Sequence, residues 1–138
     1  MIRLSWQGQL GNQLFQYCFA RILAKRFGME LQIDNPYLVD VRGHPLNRQL
    51  FAIKQVSGRT TRGEPQKFIG VSGTINIEVD KINPNRPIIL CGYFQNYQYY
   101  KPYKLSIKRW LQLPNLPDIP EGVLCVHFRN YIHNKGIP

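Results

Sequence analysis

The sequence predicts an α/β protein built on parallel strands. An apolar, strand-like run opens the chain at Ile2-Arg3-Leu4-Ser5-Trp6. A turn punctuated by Gly8 and Gly11 follows, then a long helical pattern, then a second alternating run from Met29 to Asp34. Strand, glycine turn, helix and strand make a βαβ unit, which generates a parallel sheet with crossover helices.

Each element has its own local reason. From Asn12 to Phe27 two apolar rows run at helical spacing, Leu14, Cys18, Ile22 and Phe15, Phe19, Leu23, Phe27. Apolar residues cover most of the circumference, so the helix is expected to pack on a sheet and to be covered elsewhere. Gly28 supplies its stop. Pro45 to Ile53 reads as a short helix, Gln55 to Gln66 as a polar loop, and Thr74 to Ile82 alternates like a strand. Asn83-Pro84-Asn85-Arg86-Pro87 is a turn. Ile88 to Phe94 reads as a buried strand, and the tyrosine-rich stretch to Trp110 as helical despite Pro102. Three prolines, Pro114, Pro117 and Pro120, each disfavour helix for the preceding residue and mark an extended linker. Val123 to Phe128 is a further buried strand. A domain over 1–113, a linker over 114–122 and the first strand of an incomplete domain over 123–138 follow. A parallel strand needs a crossover after it, and the chain ends before one, so the expected organisation is interrupted.

Composition narrows the function without choosing it. At 138 residues, 43% hydrophobic and 12% aromatic, the chain has the material for one domain with a core. The net charge of +10 is dispersed over both halves and favours anionic or phosphorylated partners: nucleic acid, an acidic membrane surface or a nucleotide-sugar. The three cysteines, Cys18, Cys91 and Cys125, are far apart and lie in apolar runs. They give neither a disulfide framework nor a metal pair, and buried free thiols in a reducing compartment are expected. His127 and His133 with His44 have no metal spacing, so no metal is expected. No apolar run approaches a membrane span and the N-terminus lacks a signal-peptide core. A cytoplasmic protein, able to lie on the inner membrane face, is the expectation.

Three segments carry chemistry. In Gly8-Gln9-Leu10-Gly11-Asn12-Gln13-Leu14-Phe15-Gln16-Tyr17 the glycines permit close approach of backbone to a ligand. The helix start offers free N–H groups to an anion or a sugar hydroxyl. Asn12 is placed to cap the helix, and Gln13 to project an amide into the crevice at the strand's C-terminal edge, where α/β proteins bind ligands. A plain tight turn with an N-cap explains the same spacing. A dinucleotide fingerprint fits poorly, because Trp6 stands where its first glycine belongs, although Asp34 lies near the position of a ribose-binding acid. In Cys91-Gly92-Tyr93-Phe94-Gln95-Asn96-Tyr97-Gln98-Tyr99-Tyr100, followed by Lys101, Lys104, Lys108 and Arg109, the rings suit stacking on a base or a sugar face. The alternative is an amphipathic helix with tyrosines inward and lysines in water. In Val126-His127-Phe128-Arg129, an arginine at a strand end can clamp a diphosphate, with His127 on the same side of the strand. A core histidine and a surface arginine are the alternative there.

Taken in order, the segments resemble the α-1,2-fucosyltransferase family. Its G-x-L-G-N-Q-[LM]-F-Q-Y-A loop–helix stands here as Gly8 to Cys18, its G-Y-F-Q as Gly92-Tyr93-Phe94-Gln95, and the start of its H-x-R-R-G-D-Y as His127-Phe128-Arg129. The resemblance implies the Rossmann-like N-terminal half of a GT-B-type glycosyltransferase, truncated. It also implies an inverting, metal-free transfer of L-fucose from GDP-fucose to a galactoside hydroxyl. Arg129 would contact the donor diphosphate, His127 would support that site, and Gly11, Asn12 and Gln13 would line the cleft. The implied partners are GDP-fucose, with no separate cofactor, and a galactose-containing glycan. Asn130-Tyr131-Ile132-His133 replaces R-G-D-Y, so the family's carboxylate is missing after Arg129. A non-catalytic glycan-binding remnant is the second reading. A basic nucleic-acid module is the third, although it leaves the glycine loop and His127-Phe128-Arg129 without a purpose, so no nucleic-acid partner is expected.

Overall fold

The computed structural model describes residues 1–8, 10–33, 53–70 and 77–111. Within them lies a four-stranded parallel sheet with strands β1 (Ile2–Ser5), β2 (Leu31–Gln32), β3 (Gln66–Gly70) and β4 (Ile88–Gly92) in the order β2-β1-β4-β3. The helices are α1 (Leu10–Phe27), α2 (Tyr97–Tyr100) and α3 (Lys104–Trp110), with single 3₁₀ turns at Val79–Lys81 and Lys101–Tyr103. The α/β class is therefore the observed one.

The βαβ unit forms where its pattern indicates. Strand β1 alternates buried Ile2 and Leu4 with exposed Arg3 and Ser5, so one face is committed to the core. In β4, Ile88 and Leu90 point to that same core and are fully buried. Helix α1 packs on these strands with Phe19, Ala20 and Leu23, all at 0% exposure. Phe19 and Leu23, the large side chains among them, each contribute about 1.5–3 kcal/mol on leaving water. Lys25 and Arg26 complement the negative end of the helix dipole. Gly28 ends the helix at φ +61, and the Met29 N–H donates to the Ala24 carbonyl at 3.0 Å. That six-to-one bond is a Schellman closure, and it buries Met29 against the core.

Strand β2 is shorter than its pattern suggests: only Leu31 and Gln32 pair with β1, while Met29 makes an isolated bridge to Arg59. Residues 53–61 run along that edge, bonded through Leu31 and Val56 at 2.9 and 3.1 Å. The loop expected from Gln55 to Gln66 thus gives way at its end to β3, which pairs with β4 from Gln66 to Gly70. Of the strand expected over Thr74 to Ile82, residues 77–82 instead hold a 3₁₀ turn, bonded from Ile82 N to the Val79 carbonyl at 3.2 Å. Alternation there reflects Ile77 and Ile82 being buried on either side of that turn.

The tyrosine-rich stretch is helical, as its composition indicates. Asn96 caps α2 by accepting from the Gln98 N–H at 3.0 Å. Pro102 sits in the first turn of the following 3₁₀ segment, where its missing N–H leaves no bond unmade. Tyr100 is buried, Tyr99 and Tyr103 half-buried, and Lys101, Lys104 and Lys108 exposed, which matches an amphipathic segment. Asp34, residues 45–52 of the Pro45 to Ile53 segment, the proline linker and the Val123 to Phe128 segment lie outside the described residues.

Candidate functional site

Two chain segments far apart in sequence meet at the C-terminal edge of the sheet. β1 and β4 are parallel neighbours, with Ser5 opposite Cys91, so the loops leaving them emerge side by side. Loops at that edge form the crevice where open α/β sheets bind ligands. The first loop leads into the N-terminus of α1, and the second carries Gly92 to Asn96 into α2.

The first loop is held from within by glutamines. Gln16, fully buried, accepts from the Gln7 N–H at 3.0 Å and donates to the Gln7 carbonyl at 2.6 Å. Its amide thus pairs with a backbone unit as a neighbouring strand would. The Gln7 side-chain amide reaches Cys91 Sγ at 2.9 Å, tying the loop to β4. Gly8 takes φ +71, and a Cβ there would lie 2.3 Å from Asn12 Nδ2 and 2.8 Å from Tyr93 Cε1. Only a residue with no side chain lets the two loops close this tightly.

The structure corrects the role of Gly11 and Asn12 as turn and cap. Helix α1 begins at Leu10, so both residues sit inside its first turn rather than before it. Gly11 is exposed and has open space where a Cβ would be. Asn12 uses its Oδ1 to accept from Gln95 Nε2 at 2.7 Å, a bridge from the first loop–helix to the second loop. Gln13 turns inward instead of projecting into the crevice. It is 3% exposed and donates to the Gly8 carbonyl at 2.9 Å, and its Oε1 finds no partner among the described residues. Trp6 Nε1 is likewise buried and unpaired there. Buried polar atoms are normally satisfied, so among the described residues these two atoms stand out as exceptions. No acidic residue occupies the first turn of α1, which leaves its positive end uncompensated.

The second loop is conformationally constrained. Gly92 has φ +141 and Phe94 has φ 50, a left-handed backbone that a bulky residue adopts only at a cost. Packing offsets it: Phe94 is buried and stacks on Phe19 with centroids 4.7 Å apart and planes at 13°. Tyr100 donates to the Phe94 carbonyl, and the Phe15 carbonyl lies 3.3 Å from the same hydroxyl. Burial pushes the ionisation of that hydroxyl far above its usual range. The loop backbone is therefore fixed from both sides, and Gln95 is presented to Asn12 by a rigid frame.

Beside the bridge lies an apolar groove of about 460 Å³ between α1 and the α2–α3 segment. Gly11, Leu14, Phe15 and Cys18 form one wall, Tyr97 and Tyr100 the other, and Gln95 is part of the lining. Phe15 is 40% exposed and Tyr97 66%, so two aromatic rings are available at this groove. Burial drives the Cys18 thiol up to about 12, against a partial opposing effect of the Arg21 charge, which makes it an inert wall rather than a nucleophile.

Of the residues singled out in the sequence, Gly11 and Gln95 line the groove, Asn12 reaches it only through its bond to Gln95, and Gln13 is buried. Arg129 and His127 lie outside the described residues. Sequence reasoning missed the loop-stitching role of Gln16, whose burial depends on the packed loop. It also missed Arg21, whose guanidinium stacks 4.7 Å from the Trp110 ring centre and donates to Tyr17 Oη at 2.7 Å. Among the described residues no three His, Cys, Asp or Glu side chains converge on a point, and no helix is long and apolar enough to cross a membrane. Searches against known protein families, curated proteins and solved structures find no match for this chain.

Proposed function

We propose that this chain belongs to an enzyme of fucosyl transfer and carries the acceptor-side half of its cleft. The fold this implies is a Rossmann-like N-terminal half of a GT-B-type glycosyltransferase. One observation carries the reading: the Asn12–Gln95 bridge, 2.7 Å long, joins the Gly8-to-Tyr17 and Gly92-to-Gln95 motifs at the C-terminal edge of β1 and β4. These motifs bear the resemblance to α-1,2-fucosyltransferases, and their meeting at one ligand-type crevice gives each a reason to be there.

In this reading the galactoside lies against the groove, its apolar sugar face on Tyr97 and Phe15, with polar hydroxyls toward Asn12 and Gln95. The acceptor hydroxyl oxygen attacks the anomeric carbon of fucose, releasing its proton to solvent, as the bond to the β-phosphate oxygen breaks and GDP departs with the electron pair. Arg129 holds that diphosphate, where negative charge grows, and His127 supports it. Gly11, without a side chain, lets the acceptor approach the positive end of α1.

The test is a GDP-fucose titration together with transfer to a β-galactoside. Binding that falls on the order of a hundredfold in Arg129→Ala supports the reading, since a charge-assisted contact contributes about 1.5–3 kcal/mol. Binding or transfer indifferent to that substitution removes Arg129 from its role, and absence of any GDP-fucose affinity removes the reading. A non-catalytic glycan-binding module is favoured by one observation, the exposed Tyr97 and Phe15 rings flanking an apolar groove. Galactoside binding with no affinity for GDP selects it.

A further inference from the structure

The α2–α3 segment carries a second surface that the cleft does not use. Helix α3 turns about 100° per residue, which sorts its side chains onto two faces. Ser106, Ile107 and Trp110 are half-buried on the inner face, and Lys104, Leu105, Lys108 and Arg109 are exposed on the outer one. Trp110 is held inward by the Arg21 guanidinium 4.7 Å from its ring centre, so the orientation of α3 is fixed. Leu105 is 73% exposed and falls between the paired Lys104 and Lys108 on one side and Arg109 on the other. Lys101, also exposed, extends the cationic face toward α2.

Charge complementarity identifies the partner. No Asp or Glu occurs anywhere between Asp80 and Asp118, and no ion pair to these four cations occurs among the described residues. Leu105 places an apolar tip at the centre of this cationic face. A leucine ringed by lysines and an arginine matches the headgroup layer of an anionic bilayer. There the cations meet lipid phosphates and the apolar tip enters the acyl boundary. A nucleic acid is the poorer fit on this face, because Tyr103 and Trp110 are half-buried, the exposed Tyr97 ring belongs to the groove, and Leu105 has nothing to meet on a phosphate backbone. We propose that the outer face of α3, with Lys101, is a peripheral docking surface for anionic membranes.

The experiment is co-sedimentation of the full chain with phosphatidylcholine vesicles, with and without phosphatidylglycerol. Binding is expected only to the anionic vesicles and is expected to weaken with salt. Each cation near the surface raises partitioning about fivefold, so Lys101→Gln, Lys104→Gln and Lys108→Gln together lower it about a hundredfold. Leu105→Ser, at unchanged charge, lowers it about tenfold. A control triple, Lys25→Gln, Arg62→Gln and Lys67→Gln, removes the same charge from exposed positions outside α2 and α3 and is expected to lower it only a few-fold. All six cations are exposed, so both triples are expected to fold. An equal loss in the control, no effect of Leu105→Ser, no anionic-vesicle binding, or oligonucleotide binding in place of vesicle binding each overturns the proposal.

Discussion

Replacing Gly8 with alanine strikes the contact on which the two loops depend. At φ +71 an L-residue costs about 1–2 kcal/mol relative to glycine. The new Cβ would lie 2.3 Å from Asn12 Nδ2 and 2.8 Å from Tyr93 Cε1. The Asn12 amide is the end of a flexible side chain and can swing away, but it then abandons Gln95, a loss of about 0.5–1.5 kcal/mol. The Tyr93 ring must also shift within a half-buried site. Together these amount to about 3 kcal/mol, a large share of a marginal stability. With a urea slope of about 1.5 kcal/mol per M, the midpoint of unfolding falls by about 2 M. Gly63→Ala is the matched control: φ is +99 but nothing lies within 4 Å of the added carbon. It loses only the backbone contribution, about 1 M in midpoint. Equal midpoint shifts for the two variants would refute the claim that Gly8 is required by close approach of the loops.

Gly11→Ala should do the opposite. Its added methyl enters open space within α1, so stability rises by about 0.5–1 kcal/mol in urea unfolding. Galactoside affinity, measured by titration, is expected to fall, because Gly11 lines the groove. A double-mutant cycle of Asn12→Ala and Gln95→Ala, read by urea unfolding, should give a coupling of about 0.5–1 kcal/mol for their exposed bond. Strictly additive effects would mean the bond contributes nothing. Stability should also fall in alkali. The buried Cys18 thiol rises from about 9 to about 12, so above pH 9 the unfolded chain releases a proton that the folded chain retains. Each pH unit from about 9 to about 12 then costs about 1.4 kcal/mol, and burial of Tyr100 acts in the same direction. Urea midpoints recorded from pH 7 to 11 check this. Cys18→Ala should flatten the early part of the decline, and an unchanged slope would contradict the assignment to Cys18.

The fold was legible where a hydrophobic period and a glycine stop coincide. The α1 rows, the Gly28 closure and the apolar β1 and β4 each bury a face that a single segment can reveal. Strand β3 escaped because, as an edge strand paired only with β4, it needs little apolar character: Phe68 is half-buried and Ile69 is 58% exposed. Residues 77–82 misled for the reverse reason, since two buried isoleucines flanking a 3₁₀ turn imitate strand alternation. Within the site, residue types were readable but their roles were not. Asn12 looked like a cap because a cap and a cross-loop bridge need the same short amide. Which role it takes depends on Gln95, 83 residues away. Gln13 and Gln16 are amides of the same helix whose burial only the packed loop reveals.

The most direct test of the proposed cleft is amide chemical-shift mapping of the isotope-labelled chain with a β-galactoside and, separately, with GDP. The galactoside is expected to shift Gly11, Asn12, Gln95 and Tyr97, and GDP to shift Arg129, with the GDP response lost in Arg129→Ala. Saturating galactoside that leaves the amides of Gly11, Asn12 and Gln95 unmoved, while the chain remains folded, would contradict the proposed cleft.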